Sequence, residues 1–193
     1  NLLPTNVEFG VTIISVIPTS WLIRLLRSSF VIGSNGKTGA QEVIFGSNTL
    51  NVIRRVNCTT MVIPENYAFN ENKDALLPLD CTDSLHGDAL IELHKFIKDY
   101  NYKLHVLRIT AEGDQCEYEF YDQSNLTAMA HQYYVVHDVP VHHATNSFVQ
   151  IKNIGLIAII THKEKFFHRF IKGSTTTKLN NSLHVPLLVL HND

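Results

Sequence analysis

The residues whose types and spacing could do chemistry lie between 33 and 49, in GSNGKTGAQEVIFGSNT, which holds Gly33, Gly36, Gly39 and Gly46. The apolar run Ser29-Phe30-Val31-Ile32 leads into it, and Ser47-Asn48-Thr49 opens a helical pattern behind it. Glycine lets backbone N–H groups turn toward a ligand with no Cβ in the way. The free N–H groups and dipole of a helix start favour an anion. A glycine loop and a helix start could therefore hold one phosphate chain from two sides. The stretch is no P-loop: Gly36-Lys37-Thr38 reads GKT, but the pattern needs a glycine where Val31 stands. The dinucleotide fingerprint GxGxxG is absent as well.

The elements that must position this loop come from a repeat. Residues 30–64 and 156–190 share one plan: a short apolar strand, a loop, a Gly-Ser-x-Thr element, a short helical stretch and a second apolar strand. Leu2-Leu3-Pro4-Thr5-Asn6 matches Leu76-Leu77-Pro78-Leu79-Asp80, and 11–17 matches 104–109. In the second copy 75–79 reads as a buried strand, and Asp83 or Ser84 is a candidate cap for the helix that follows. Leu85, Ala89, Leu93, Phe96 and Ile97 recur there at helical spacing. Strands follow at 104–109 and 132–137, then a weak helix near 144–152. Residues 156–160 and 185–190 are nearly all apolar, as in parallel strands covered on both faces. Alternating strands and helices indicate an open parallel α/β sheet, whose ligands bind outside the carboxyl ends of the strands. In the first copy, the strands ending near Asn6 and restarting near Val11 are too close for a parallel crossover. That copy reads as incomplete, with segments of the polypeptide missing.

Composition narrows the classes. The 193 residues carry a net charge of −2, which gives no reason to expect nucleic acid or an acidic membrane as partner. No apolar run reaches the roughly 18 residues of a membrane span, and no signal-peptide pattern is present. Cys58, Cys81 and Cys116 are widely spaced and form no CxxC pair, so they read as reduced thiols in a cytoplasm. His131, His137, Asp138, His142 and His143 are close in sequence but lack metal-ligand spacing; adjacent His142 and His143 would face opposite sides of a strand. They read as solvated loop histidines, not as a metal site. Arg54-Arg55 reads as the exposed face of a short helix. The run from Lys163 to Lys172, with Phe166, Phe167 and Phe170, reads as an amphipathic helix with buried phenylalanines. No nucleophile–base pair or carboxylate pair marks a reaction, so no catalytic residue is assigned.

The spacing G-x2-G-x9-G-[ST], between Val31-Ile32-Gly33 and the closing strand Thr59-Thr60-Met61-Val62-Ile63-Pro64, resembles the nucleotide-binding signature of the universal stress protein family. The resemblance covers nearly the whole chain as a tandem protein. It implies two Rossmann-like domains of the adenine nucleotide alpha-hydrolase type, each with an open parallel five-stranded sheet, the first copy incomplete. The domains would be 1–64 and 74–193, joined by a linker at 65–73. By the same resemblance, Gly33, Asn35, Gly36, Gly46, Ser47 and Asn48 would hold phosphates and ribose of ATP or a related adenine nucleotide. Pro4, Thr5 and Asn6 would border the adenine, with Val16 beside them. Mg²⁺ could accompany ATP, though the sequence requires no metal. Asn6 departs from the family's usual Asp, which Asp80 keeps in the second half. There, however, Ile160 and Lys163 occupy the two glycine positions and would crowd a phosphate, so the second half reads as degenerate. The implied role is a cytoplasmic stress-response nucleotide sensor or regulator with weak or no hydrolysis. A slow ATPase or phosphotransferase, and a partner-docking protein that binds no nucleotide, are the alternatives. The resemblance also implies an intramolecular pseudo-dimer, its halves meeting through strands 59–63 and 185–190, with a further homodimer open to it.

Overall fold

Short apolar runs form the sheet. In this computed structural model the described residues are 29–34, 53, 55, 58–64, 67–69, 71–81, 83, 85–111, 118–161 and 185–192. Among them are seven strands: β1 (Ser29–Ser34), β2 (Thr59–Pro64), β3 (Asp74–Asp80), β4 (Lys103–Thr110), β5 (His131–His137), β6 (Leu156–Thr161) and β7 (Leu187–His191). Three helices join them: α1 (Asp88–Tyr100), α2 (Tyr118–Asn125) and α3 (Val141–Ile151). The strands form one sheet in the order β1-β2-β7-β6-β3-β4-β5. Within it β5-β4-β3-β6-β7 is a parallel, doubly wound set, and the strand order reverses between β3 and β6.

Alternate residues of the strands feed two cores. On one face Leu77, Leu79, Leu104, Val106, Ala158 and Leu188 pack against Ala89, Leu93, Phe96 and Ile97 of α1 and against Leu126 and Met129 beyond α2. On the other, Leu76, Leu107, Ile109, Ile157, Ile159 and Val189 pack against Ala144 and partly buried Phe148 and Val149 of α3. Helices on both faces explain why β3, β4 and β6 read as continuous apolar runs. Each fully buried Leu, Ile or Phe contributes roughly 1.5–3 kcal/mol to this packing.

The ends of α1 are set by local chemistry. Its first residue is Asp88, later than the helical spacing of Leu85 suggests, because Gly87 holds φ 77° and ψ −164°. The N-cap is Gly87, so the candidate Asp83 does not cap it, and the other candidate, Ser84, lies outside the described residues. The cap comes from beyond β7: Asn192 Oδ1 accepts from the Ala89 N–H at 3.4 Å, and Asn192 Nδ2 donates to the His86 carbonyl at 2.9 Å. At the other end Asn101 adopts the left-handed conformation, and the Tyr102 N–H returns to the Ile97 carbonyl at 2.9 Å. Asparagine tolerates that geometry, and it stops the helix.

The β1–β2 and β6–β7 ladders share one register. Phe30↔Thr60, Val31↔Met61, Ile32↔Val62 and Gly33↔Ile63 map in step onto Ile157↔Leu187, Ala158↔Leu188, Ile159↔Val189 and Ile160↔Leu190. Between the two ladders β2 and β7 pair antiparallel, Thr60↔Val189, Met61↔Leu188 and Val62↔Leu187. Met61 therefore faces the residue that occupies its own place in the other ladder. Strands 59–63 and 185–190, both apolar, cover each other's open edges. Because that pairing is antiparallel, the carboxyl ends of β1 and β2 lie on the opposite rim from those of the other five strands.

Candidate functional site

Gly33 lies in β1 opposite Ile63 of β2, one residue before the strand ends at Ser34. The glycine motif thus begins at the carboxyl end of a parallel strand, where sheets of this kind take ligands. In the β6–β7 ladder the position of Gly33 is held by Ile160, a buried side chain. The remaining expected nucleotide contacts, Pro4, Thr5, Asn6, Val16, Asn35, Gly36, Gly46, Ser47 and Asn48, lie outside the described residues. So do Asn6 and Val11, between which the first copy reads as interrupted, and Lys163 with the basic, phenylalanine-rich run after it. Of the short helix expected around Arg54-Arg55, the described residues Ile53 and Arg55 are helical; Ile53 is buried and Arg55 exposed.

The opposite rim carries a buried polar cluster. Arg108 in β4 is 2% exposed and Asp122 in α2 is 1% exposed, and the Arg108 Nη2 group donates to Asp122 Oδ2. Arg108 Nη1 donates to the Asp80 carbonyl and, at 2.9 Å, to the Asp83 carbonyl. Tyr133 in β5 donates its hydroxyl to the same Asp122 oxygen at 2.8 Å. The loop closes on itself as well: the Asp80 N–H reaches Asp83 Oδ2 at 2.7 Å, and the Asp83 N–H reaches the Asp80 carbonyl at 3.1 Å. One guanidinium thus fastens the turn after β3, next to the point where strand order reverses, to α2 and β5.

The electrostatics follow from burial and partners. Desolvation disfavours the Arg108 charge, but the hydrogen bonds to Asp122 and Tyr133, with the charge of Asp122, together outweigh it and hold the guanidinium above its usual range. Burial pushes the Tyr133 phenol up to about 12, with the Asp122 hydrogen bond acting in the same sense and Arg108 opposing it. Asp80 is buried at the end of β3, and Asp83 holds the turn rather than a helix. Neighbouring strand ends are joined by the 2.7 Å contact between Thr110 Oγ1 and His137 Nδ1.

Sequence reasoning missed the roles of Arg108, Asp122, Tyr133 and Asn192. The available signal was Arg108 itself, a permanent charge inside the apolar run LHVLRIT, which demands a buried anion. The histidines also differ from expectation. His142 and His143 stand in the first turn of α3, not on a strand, with ring centroids 4.0 Å apart. Burial, then the neighbouring His143, holds the His142 imidazole below its ordinary value. Among the described residues no group of three His, Cys, Asp or Glu side chains is placed to hold a metal ion. The reading of the cysteines as reduced thiols agrees with Cys58, which is in no disulfide, and fails at Cys81, which is disulfide-bonded to a partner outside the described residues. Among those residues no helix is long and apolar enough to cross a membrane.

The chain has the fold of universal stress proteins. It is similar to a universal stress protein from Archaeoglobus fulgidus at a TM-score of 0.60 and 17% identity, over 86% of this chain and 61% of that one. A functionally unknown protein from Pseudomonas aeruginosa aligns at 0.58 and 13%, over 86% and 63%. A putative universal stress protein from the same species aligns at 0.53 and 12%, over the same shares. The chain thus spans less than two thirds of the length of these structures. No family model and no curated protein matches the sequence.

Proposed function

We propose that this chain is a universal stress protein that binds ATP or a related adenine nucleotide through its first half and acts as a stress-response nucleotide sensor or regulator. The observation that carries this reading is the G-x2-G-x9-G-S motif beginning at Gly33, at the carboxyl end of a parallel strand. Backbone N–H groups freed by Gly33, Gly36 and Gly46, with Ser47 at the helix start, would hold the phosphates. Asn35 and Asn48 would complete the phosphate and ribose contacts, and Pro4, Thr5, Asn6 and Val16 would border the adenine. Mg²⁺ would enter with ATP rather than bind alone.

The second half, from residue 74 onward, serves in this reading as a degenerate partner. Ile160 in the register of Gly33 puts a side chain where the first half offers bare backbone. The matched ladders and the antiparallel Met61↔Leu188 crossing support a tandem pseudo-dimer, with domains at 1–64 and 74–193 and a linker at 65–73. The cytoplasmic assignment rests on the family resemblance alone, because the Cys81 disulfide removes the cysteine argument for it.

Nucleotide released by denaturing the purified protein tests the reading. Adenine nucleotide approaching one per chain is the expected result; protein that neither retains nor takes up nucleotide would leave a partner-docking role. Turnover that scales with protein and disappears in Gly36→Val would make it a slow ATPase or phosphotransferase.

A further inference from the structure

We infer that β5 is an association edge that pairs antiparallel with β5 of a second copy of this chain. Among the described residues β5 ends the sheet, bonded to β4 on one side and to no strand on the other. Its sequence is HQYYVVH, without Lys, Arg, Asp, Glu, Pro or Gly. Exposed edges are normally guarded by charges, prolines or bulges, because their unpaired N–H and C=O groups template another strand. Here none of those guards is present. Tyrosine and valine instead give the edge high strand propensity. Val135 is 39% exposed, and Val139 just beyond the strand is 37% exposed.

The strand is also self-complementary. Centred on Tyr134, an antiparallel pair places Tyr133 opposite Val135, Gln132 opposite Val136 and His131 opposite His137. Aromatic and β-branched residues across an antiparallel pair stabilise each other by roughly 0.2–1 kcal/mol per pair. A twofold operator uses the same patch on both copies and closes at the dimer, and the two Tyr133–Val135 pairs it forms about Tyr134 are what fit the edge to a second copy. The chain already joins two apolar edges in this manner, β2 to β7 with Met61 facing Leu188. A net charge of −2 leaves little repulsion between copies.

The test is sedimentation velocity of the full chain across low- to high-micromolar concentration, with hydrogen exchange on the same samples. The expected result is a mass that rises to twice that of the chain. Amides of 131–137 should gain protection with concentration while those of 103–110 do not change. Val135→Lys places two lysines near the twofold axis and should raise the dimer dissociation constant about tenfold or more. Ile91→Lys, on an exposed position of α1, should leave it unchanged. Circular dichroism matching that of the parent protein shows that the Val135→Lys chain is folded. A monomer at every concentration, open-ended growth beyond the dimer, or a dimer whose 131–137 amides gain no protection overturns the inference.

Discussion

Replacing Arg108 with Met keeps the length of the side chain and removes its charge. Four interactions go at once: the ion pair with Asp122, the Tyr133 contact at 3.4 Å, and the bonds to the Asp80 and Asp83 carbonyls. Asp122, 1% exposed, keeps only the Tyr133 hydroxyl as a partner in this cluster. Breaking a buried ion pair from one side costs about 3–5 kcal/mol, because the remaining charge is stranded. That is a large part of the ~5–15 kcal/mol typical of a whole protein. At ~2–4 °C per kcal/mol for a chain of this size, a 4 kcal/mol loss lowers Tm by about 8–16 °C. Urea unfolding followed by far-UV circular dichroism reads the same loss as a lower midpoint at unchanged slope. Arg108→Met with Asp122→Leu removes both charges; the Asp80 carbonyl keeps the Asp83 N–H, while the Asp83 carbonyl loses its Arg108 donor and the Tyr133 hydroxyl its acceptor, at ~1 kcal/mol each. The double variant should therefore be more stable than Arg108→Met alone. A single-variant loss under about 1 kcal/mol, or a double variant no better than Arg108→Met, would refute the argument that the stranded carboxylate sets the cost.

Two further outcomes follow from local geometry. Gly87→Ala should destabilise the protein by about 1–3 kcal/mol, measured by the same urea curves, because φ 77° is strained for alanine and the new Cβ would stand 2.3 Å from Asn192 Oδ1; adding Asn192→Gly should recover little, since the strain stays and the α1 cap is lost. His142 is held below its ordinary value, so the unfolded chain binds this proton first, and its contribution to stability, full above about pH 6.5, is lost as pH falls. His142→Asn should flatten the pH dependence of Tm below that value, and an unchanged slope would count against the burial of Nε2, which has no partner among the described residues.

The strands were legible where both faces are covered. Residues 156–160 and 185–190 are apolar throughout and lie at the centre of the sheet. The pairing of 59–63 with 185–190 was implied by the family resemblance and agrees with the cost of leaving two apolar edges bare; the two strands do pair. α2 was not legible, because YEFYDQSN shows no apolar stripe; its buried position at Asp122 is polar and faces Arg108. The start of α1 was misplaced because Leu85 is buried at helical spacing from Ala89 yet lies before the turn at Gly87. Its cap, Asn192, is more than a hundred residues away in sequence, so no local pattern could reveal it. The α3 boundary moved for a related reason: Pro140 precedes the helix and brings His142 and His143 into its first turn. Of the proposed nucleotide site, only the start of the motif at Gly33 lies among the described residues, and Ile160 in the matching register supplies the contrast between the halves.

Isothermal titration of ATP into the full chain, beside Gly36→Val, tests the central claim most directly. The variant adds bulk at the loop backbone without removing a core side chain, so it should block the approach of phosphate and leave the circular dichroism spectrum unchanged. The account predicts saturable one-to-one binding by the parent chain and none by a folded Gly36→Val. No heat from the parent, or equal affinity in the two proteins, would contradict it.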